Sequence, residues 1–115
     1  MDQARETAAE IEKLGRRSMV VAGPVENRAD VERMVAEIGG QFGRLDVLVN
    51  NAGALIRRAR LEELDEALWD EVMNVNLKSV YLVTKAALPL LKKSPKARII
   101  NVTSISARNG GGYGS

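Results

Sequence analysis

Neither cysteine nor histidine occurs anywhere in the 115 residues. The first absence excludes disulfides and thiol nucleophiles. Together the two remove the usual zinc ligand sets and any histidine general base. Aromatic residues are almost as scarce. One Trp, two Tyr and one Phe leave little for stacking on nucleic-acid bases. Charge of one sign is not in excess, since 17 Lys and Arg face 15 Asp and Glu for a net charge of +2. No basic stripe with interleaved aromatics accompanies it, so no nucleic-acid partner is expected. The N-terminus, Met-Asp-Gln-Ala-Arg-Glu, has no apolar signal-peptide core. The most apolar region, residues 72–91, is interrupted by Asn74, Asn76, Lys78 and Lys85 and does not read as a membrane span. The expectation is a cytoplasmic chain with no membrane partner.

What is present is the composition of one soluble domain, 45% apolar and 28% charged. Ala4, Ala8, Ile11 and Leu14 share one helical face, and Gly15 is a stop signal, so residues 2–14 read as an amphipathic helix. Ser18 to Ala22 reads as a short strand ended by Gly23-Pro24. Asn27 can cap a second helix whose stripe is Val31, Met34, Val35, Ile38 and Phe42, and Gly39, Gly40 and Gly43 mark where it weakens and ends. A strand at 45–49 follows. Asp65 then caps a long helix to about Leu91, bent in its last turn by Pro89 and closed by Ser94-Pro95. Arg98 to Val102 is a third strand, and residues 108–115 carry no packing pattern. The order α-β-α-β-α-β predicts a parallel, right-handed α/β sheet of three strands.

The stretch Leu45-Asp46-Val47-Leu48-Val49-Asn50-Asn51-Ala52-Gly53 says most about function. An unbroken apolar run is how a strand buried on both faces looks, and ligands bind beyond the carboxyl ends of such strands. Asn50 and Asn51 offer amide groups there, and Gly53 permits close approach to the backbone. The same residues also suit an ordinary strand-to-loop turn, because Asn and Gly tolerate left-handed geometry. Asn76, flanked by Val72, Val75, Leu77 and Val80, reads as a buried amide that must have partners. Ser104 ends the third strand, with Thr103 and Ser106 beside it. Arg57, Arg58 and Arg60 read as a solvated loop face rather than a substrate-anion site.

Three motifs in this order resemble the short-chain dehydrogenases/reductases: Asn50-Asn51-Ala52-Gly53, Val75-Asn76-Leu77 with Trp69-Asp70 seven residues before Asn76, and a strand ending in Ser104. Leu45-Asp46 matches as well, and the resemblance spans essentially the whole chain. It implies a Rossmann-type sheet, NAD or NADP as cofactor, and hydride transfer between a nicotinamide ring and a small carbonyl or alcohol substrate. Asn51, Ala52 and Gly53 are then cofactor-binding, as is Val25, where the family often has Asp-Val and this chain has Pro24-Val25. Ser104 is the catalytic serine that orients the substrate oxygen, and Asn76 holds a water of the proton relay. No metal is implied.

Neither the glycine-rich Thr-Gly-x-x-x-Gly-x-Gly turn of that family nor its Tyr-x-x-x-Lys pair is recognised in residues 1–115. Tyr113 stands only nine residues beyond Ser104, with no lysine after it, and is rejected as catalytic. Residues 1–115 therefore read as the middle segment of a single NAD(P)-binding Rossmann domain. In the order 3-2-1-4-5-6 the strands at 45–49 and 98–103 are the fourth and fifth, and the strand at 18–22 is the third, without neighbours. The chain alone is expected to fold poorly, to close its sheet in another order or against a second copy, and to show neither cofactor binding nor useful activity. The other reading is a non-catalytic Rossmann-like remnant that binds a nucleotide or a subunit. Thirteen of the 20 residues from 72 to 91 are hydrophobic, more than one buried face needs, and in the family this helix packs against its mate in a homo-oligomer.

Overall fold

Helix α1 (Asp2–Lys13) opens the structure, a computed structural model that describes residues 2–112. Gly15 ends it as expected, at φ +78° and with its N–H donating to the Glu12 carbonyl. Helix α2 (Arg28–Phe42) begins where the Asn27 side chain accepts from the Asp30 N–H, and stops at Gly43 in the left-handed conformation. Strand β1 (Val47–Asn50) leads through a loop, with one 3-10 turn at Leu61–Glu63, to helix α3 (Glu66–Met73). The Asp65 carboxylate caps α3 by accepting from the Leu68 N–H at 2.8 Å. Then come helix α4 (Ser79–Leu91), strand β2 (Arg98–Asn101) and the short helix α5 (Ser106–Asn109).

The expected single helix over 65–91 is interrupted. Residues Asn74–Lys78 form a π-helical turn, in which the Ser79 N–H reaches back five residues to the Asn74 carbonyl. One extra residue is thereby held in the turn, and such bulges cluster at functional sites. Pro89 is accommodated inside α4, which continues to Leu91. α5 also occupies part of the tail in which no pattern is visible.

β1 and β2 pair in parallel, Val47 opposite Arg98 through Asn50 opposite Asn101, which is the pairing expected of a fourth and fifth Rossmann strand. The third expected strand does not form. Residues 18–22 are unpaired coil, held by side chains: Ser18 Oγ donates to the Ala8 carbonyl and Arg33 Nη2 to that of Ala22. The reason is physical, since an extended segment becomes a strand only when a neighbour satisfies its N–H and C=O groups.

The small core lies between the helices. Val31, Leu68, Leu82, Ala87 and Leu91 are its buried apolar residues, and α2 packs on α4 closely enough that a Cβ at Gly39 would sit 3.2 Å from Leu90. Asn50 reaches α4, so the face of β1 carrying Leu48 and Asn50 is the covered one. On the opposite face Val49 and Ile100 are half exposed. The consequence is a large surface. The chain exposes 8580 Å², against about 6,200 Å² for a compact monomer of 12.5 kDa. Its radius of gyration is 16.5 Å, where about 13 Å is usual.

Candidate functional site

The carboxyl end of β1 is fixed by Asn50, one of two buried polar residues among those described. Its Nδ2 donates to Asn101 Oδ1 at 2.8 Å and to Thr84 Oγ1 at 3.2 Å, and its carbonyl accepts from the Val102 N–H. This amide joins β1, β2 and α4, so it has no donor left for a ligand. Thr84 and Asn101, its partners, are site-supporting residues that no motif points to.

Beyond Asn50 the chain leaves the sheet. Val25, Asn51 and Ala52, three of the residues expected at a cofactor, line one cavity of about 80 Å³ together with Val49, Ser79 and Val83. A mixture of aliphatic walls and exposed backbone suits the edge of a flat heteroaromatic ring. The volume is far below the roughly 300–1,000 Å³ of a complete ligand site. The residues present therefore fit one wall of a dinucleotide site.

Gly53, the fourth, faces the π turn instead. A Cβ there would lie 2.8 Å from Asn76 Oδ1, so the missing side chain is what admits the asparagine. Asn76 grips the next residue with both ends of its amide: Oδ1 accepts from the Ala54 N–H at 3.1 Å and Nδ2 donates to the Ala54 carbonyl at 2.6 Å. The second amide hydrogen goes to the Val72 carbonyl at 2.8 Å. The side chain is exposed, contrary to the reading of a buried amide from its apolar neighbours, yet it is well partnered. Those neighbours line other faces, because the π turn rotates residue 76 outward toward the loop. Ser79 Oγ completes the turn by donating to the Val75 carbonyl. Both amide hydrogens of Asn76 are committed, and only acceptor capacity remains for a water.

Ser104 lies past β2 at the entrance to α5. Its Oγ accepts from the Ser106 N–H at 3.1 Å, a local turn that orients the hydroxyl and leaves its proton available to a substrate oxygen. It is exposed and makes no hydrogen bond with Asn51, Gly53 or Asn76 among the described residues. Tyr113 lies outside the described residues.

A Tyr-x-x-x-Lys spacing does occur, as Tyr81 and Lys85 on α4 upstream of Ser104, which corrects the reading that residues 1–115 hold no such pair. Lys85 Nζ donates to Tyr81 Oη at 3.2 Å. That hydrogen bond and the lysine charge, with a smaller contribution from Arg28, hold the phenol below its ordinary value. The pair makes no hydrogen bond with Asn76 or Ser104 among the described residues. It stands as a separate feature of the helix surface. At the other end of the sheet the Ser94 hydroxyl, followed by Arg44, lowers the Asp46 carboxylate.

Known proteins share this fold. The sequence model of the family described as short chain dehydrogenase matches residues 1–115. A short-chain dehydrogenase/reductase, FrzI, from a Cladobotryum species is 39% identical over 108 residues, covering 94% of this chain and 41% of that protein. The solved structure of an NADH-dependent reductase, A1-R', complexed with NAD superposes with a TM-score of 0.89 at 34% identity, over 96% of this chain and 48% of that one. A short chain dehydrogenase from Burkholderia cenocepacia J2315, in complex with NADP, gives 0.88 at 32% identity over 98% and 45%. The chain thus spans less than half the length of these relatives. A Rossmann-type α/β fold is common ground between them, and the chain belongs to the short chain dehydrogenase family.

Proposed function

We propose that these residues are the middle segment of one NAD(P)-binding Rossmann domain, in an oxidoreductase that interconverts a carbonyl and a hydroxyl group. The observation that carries this reading is the convergence of Val25, Asn51 and Ala52 on one cavity at the carboxyl end of β1, backed by relatives solved with NAD and with NADP. The nicotinamide cofactor supplies the hydride chemistry when bound. Val25, Asn51 and Ala52 form one wall against it, while Gly53 lets Asn76 hold the loop in place. Ser104 donates its hydroxyl proton to the reacting oxygen, where charge develops. Asn76 is chiefly a positioning residue, and its remaining Oδ1 lone pair accepts from a relay water. The half-exposed Leu77, Tyr81 and Leu88 on one side of the π turn and α4 support association of two copies through the 65–91 helices. A cytoplasmic location is part of the same reading.

The test is turnover of the full-length protein with NADH and NADPH over a panel of small ketones and aldehydes, read by loss of reduced nicotinamide absorbance. Ser104→Ala is expected to lower kcat by about 10²–10³-fold with cofactor binding retained. Unchanged turnover in that variant overturns the role of Ser104. Cofactor binding with no turnover on any carbonyl favours a non-catalytic binding module. The 115-residue chain alone is expected to show neither.

A further inference from the structure

A second concavity lies between the loop after Gly53 and helix α3, and it shares no lining residue with the cavity at the end of β1. Its volume is about 170 Å³, and Leu55 and Leu64 from the loop face Leu68, Trp69 and Val72 from α3 across it. Apolar atoms dominate the lining. A cavity of roughly 150 Å³ with such walls holds one benzene ring, so this niche has the capacity for a single ring or a branched group of that size. Arg57 is the one charged residue in the lining, and it is solvent-exposed. Arg57 takes part in no ion pair among the described residues, whereas Arg60 contacts Glu62. Between Leu55 and Arg57, Ile56 holds φ +65°, a left-handed conformation that a β-branched residue rarely adopts. Such outliers persist where the surroundings over-determine them, commonly at ligand clamps.

We propose that this niche is a binding site for a small aromatic carboxylate, with the ring packed against Trp69 and the carboxylate held by the Arg57 guanidinium. An apolar slot explains the ring, and a planar cation with parallel N–H donors explains the carboxylate. The Ala54 backbone, clamped by Asn76, fixes the hinge from which Leu55 and Arg57 extend. Occupancy of the niche therefore stiffens the same loop that carries Asn51 and Gly53.

Trp69 is the only tryptophan among these 115 residues and lines the niche, so its emission is the readout followed. The probes are benzoate, benzyl alcohol and acetate, titrated into the protein without cofactor or carbonyl substrate, so that the outcome is independent of the dehydrogenase reading. Benzoate is expected to change the emission saturably, benzyl alcohol to bind about tenfold more weakly and acetate not to bind, in line with the loss of a charge-assisted contact. Arg57→Gln should bring benzoate down to the level of benzyl alcohol while leaving benzyl alcohol unchanged, and Ala59→Phe should fill the niche and abolish both. A linear, non-saturating response to benzoate overturns the proposal. So does an Arg57→Gln protein that binds benzoate as tightly as the parent.

Discussion

Two parts of this chain have similar apolar content and opposite fates. From Arg28 onward, α2, α3 and α4 bury Val31, Leu68, Leu82, Ala87 and Leu91, and a parallel pair of strands is bolted to α4 by Asn50. Before Arg28 none of the described residues is buried: Leu14, just past the end of α1, is exposed, and Met19 and Val21 lie in an unpaired segment. The difference is one of partners rather than of hydrophobicity. Apolar side chains contribute only when another surface removes them from water, and backbone groups only when another strand or helix turn meets them.

The largest effect that probes this contrast is a truncation in each part. Leu82→Ala should cost about 2–5 kcal/mol in denaturant unfolding, since it opens a cavity in the α2–α4 contact. Leu14→Ala should stay within about 0.5 kcal/mol. Equal effects would break the comparison. Next is Asn50→Ala, which strips Thr84 and Asn101 of their shared donor and should cost about 1–3 kcal/mol, with the β1–β2 pairing loosened.

A smaller, more specific effect belongs to the loop clamp. Gly53→Ala forces the Asn76 amide away and should destabilise by about 1–2 kcal/mol, within the usual range of single substitutions. Asn76→Ala also destabilises, but the double variant should cost less than the sum, because the collision disappears with the amide. Strict additivity would show that the two residues do not touch.

Hydrogen exchange sharpens the comparison without mutation. The amides of Arg98 and Val102, which donate to the Asp46 and Asn50 carbonyls across the sheet, are expected to be protected relative to those of 19–22, which have no ladder. The mildest effect is on pH. Asp46 has its pKa lowered by the Ser94 hydroxyl first and by Arg44 second. A carboxylate depressed on folding contributes stability above its unfolded value, near 3.8, and that contribution is lost as pH falls through the lower folded value. Acid unfolding should therefore be less steep in Asp46→Asn, and the neutral-pH stability of the two proteins should differ little because the site is exposed.

Much of the fold is legible residue by residue. Asn27 and Asp65 announce helix starts because only a short polar side chain reaches the free N–H groups of a first turn. Gly15 and Gly43 announce stops because they take the left-handed conformation. The strand ends at Asn50 and Asn101 follow from apolar runs bounded by polar residues. The π turn at Asn74–Lys78 is not legible, since hydrophobic spacing tolerates one extra residue in a long helix. For the same reason the outward turn of Asn76, and its grip on Ala54, escape a pattern-based reading. The Tyr81–Lys85 spacing is visible in the sequence, but its distance from Ser104 in the hydrogen-bond network is not.

The amino-acid sequence by itself determined the α/β order, the helix caps, the parallel pairing of β1 with β2 and membership of the family, because each rests on local chemistry or on motifs in register. Tertiary structure alone decided that residues 18–22 stay unpaired, that Asn50 is spent on holding the sheet to α4, and that Gly53 makes room for Asn76. These are outcomes of which surfaces meet. A local pattern specifies what a segment is able to form, and only the neighbours that pack against it decide whether its polar groups and apolar faces are satisfied.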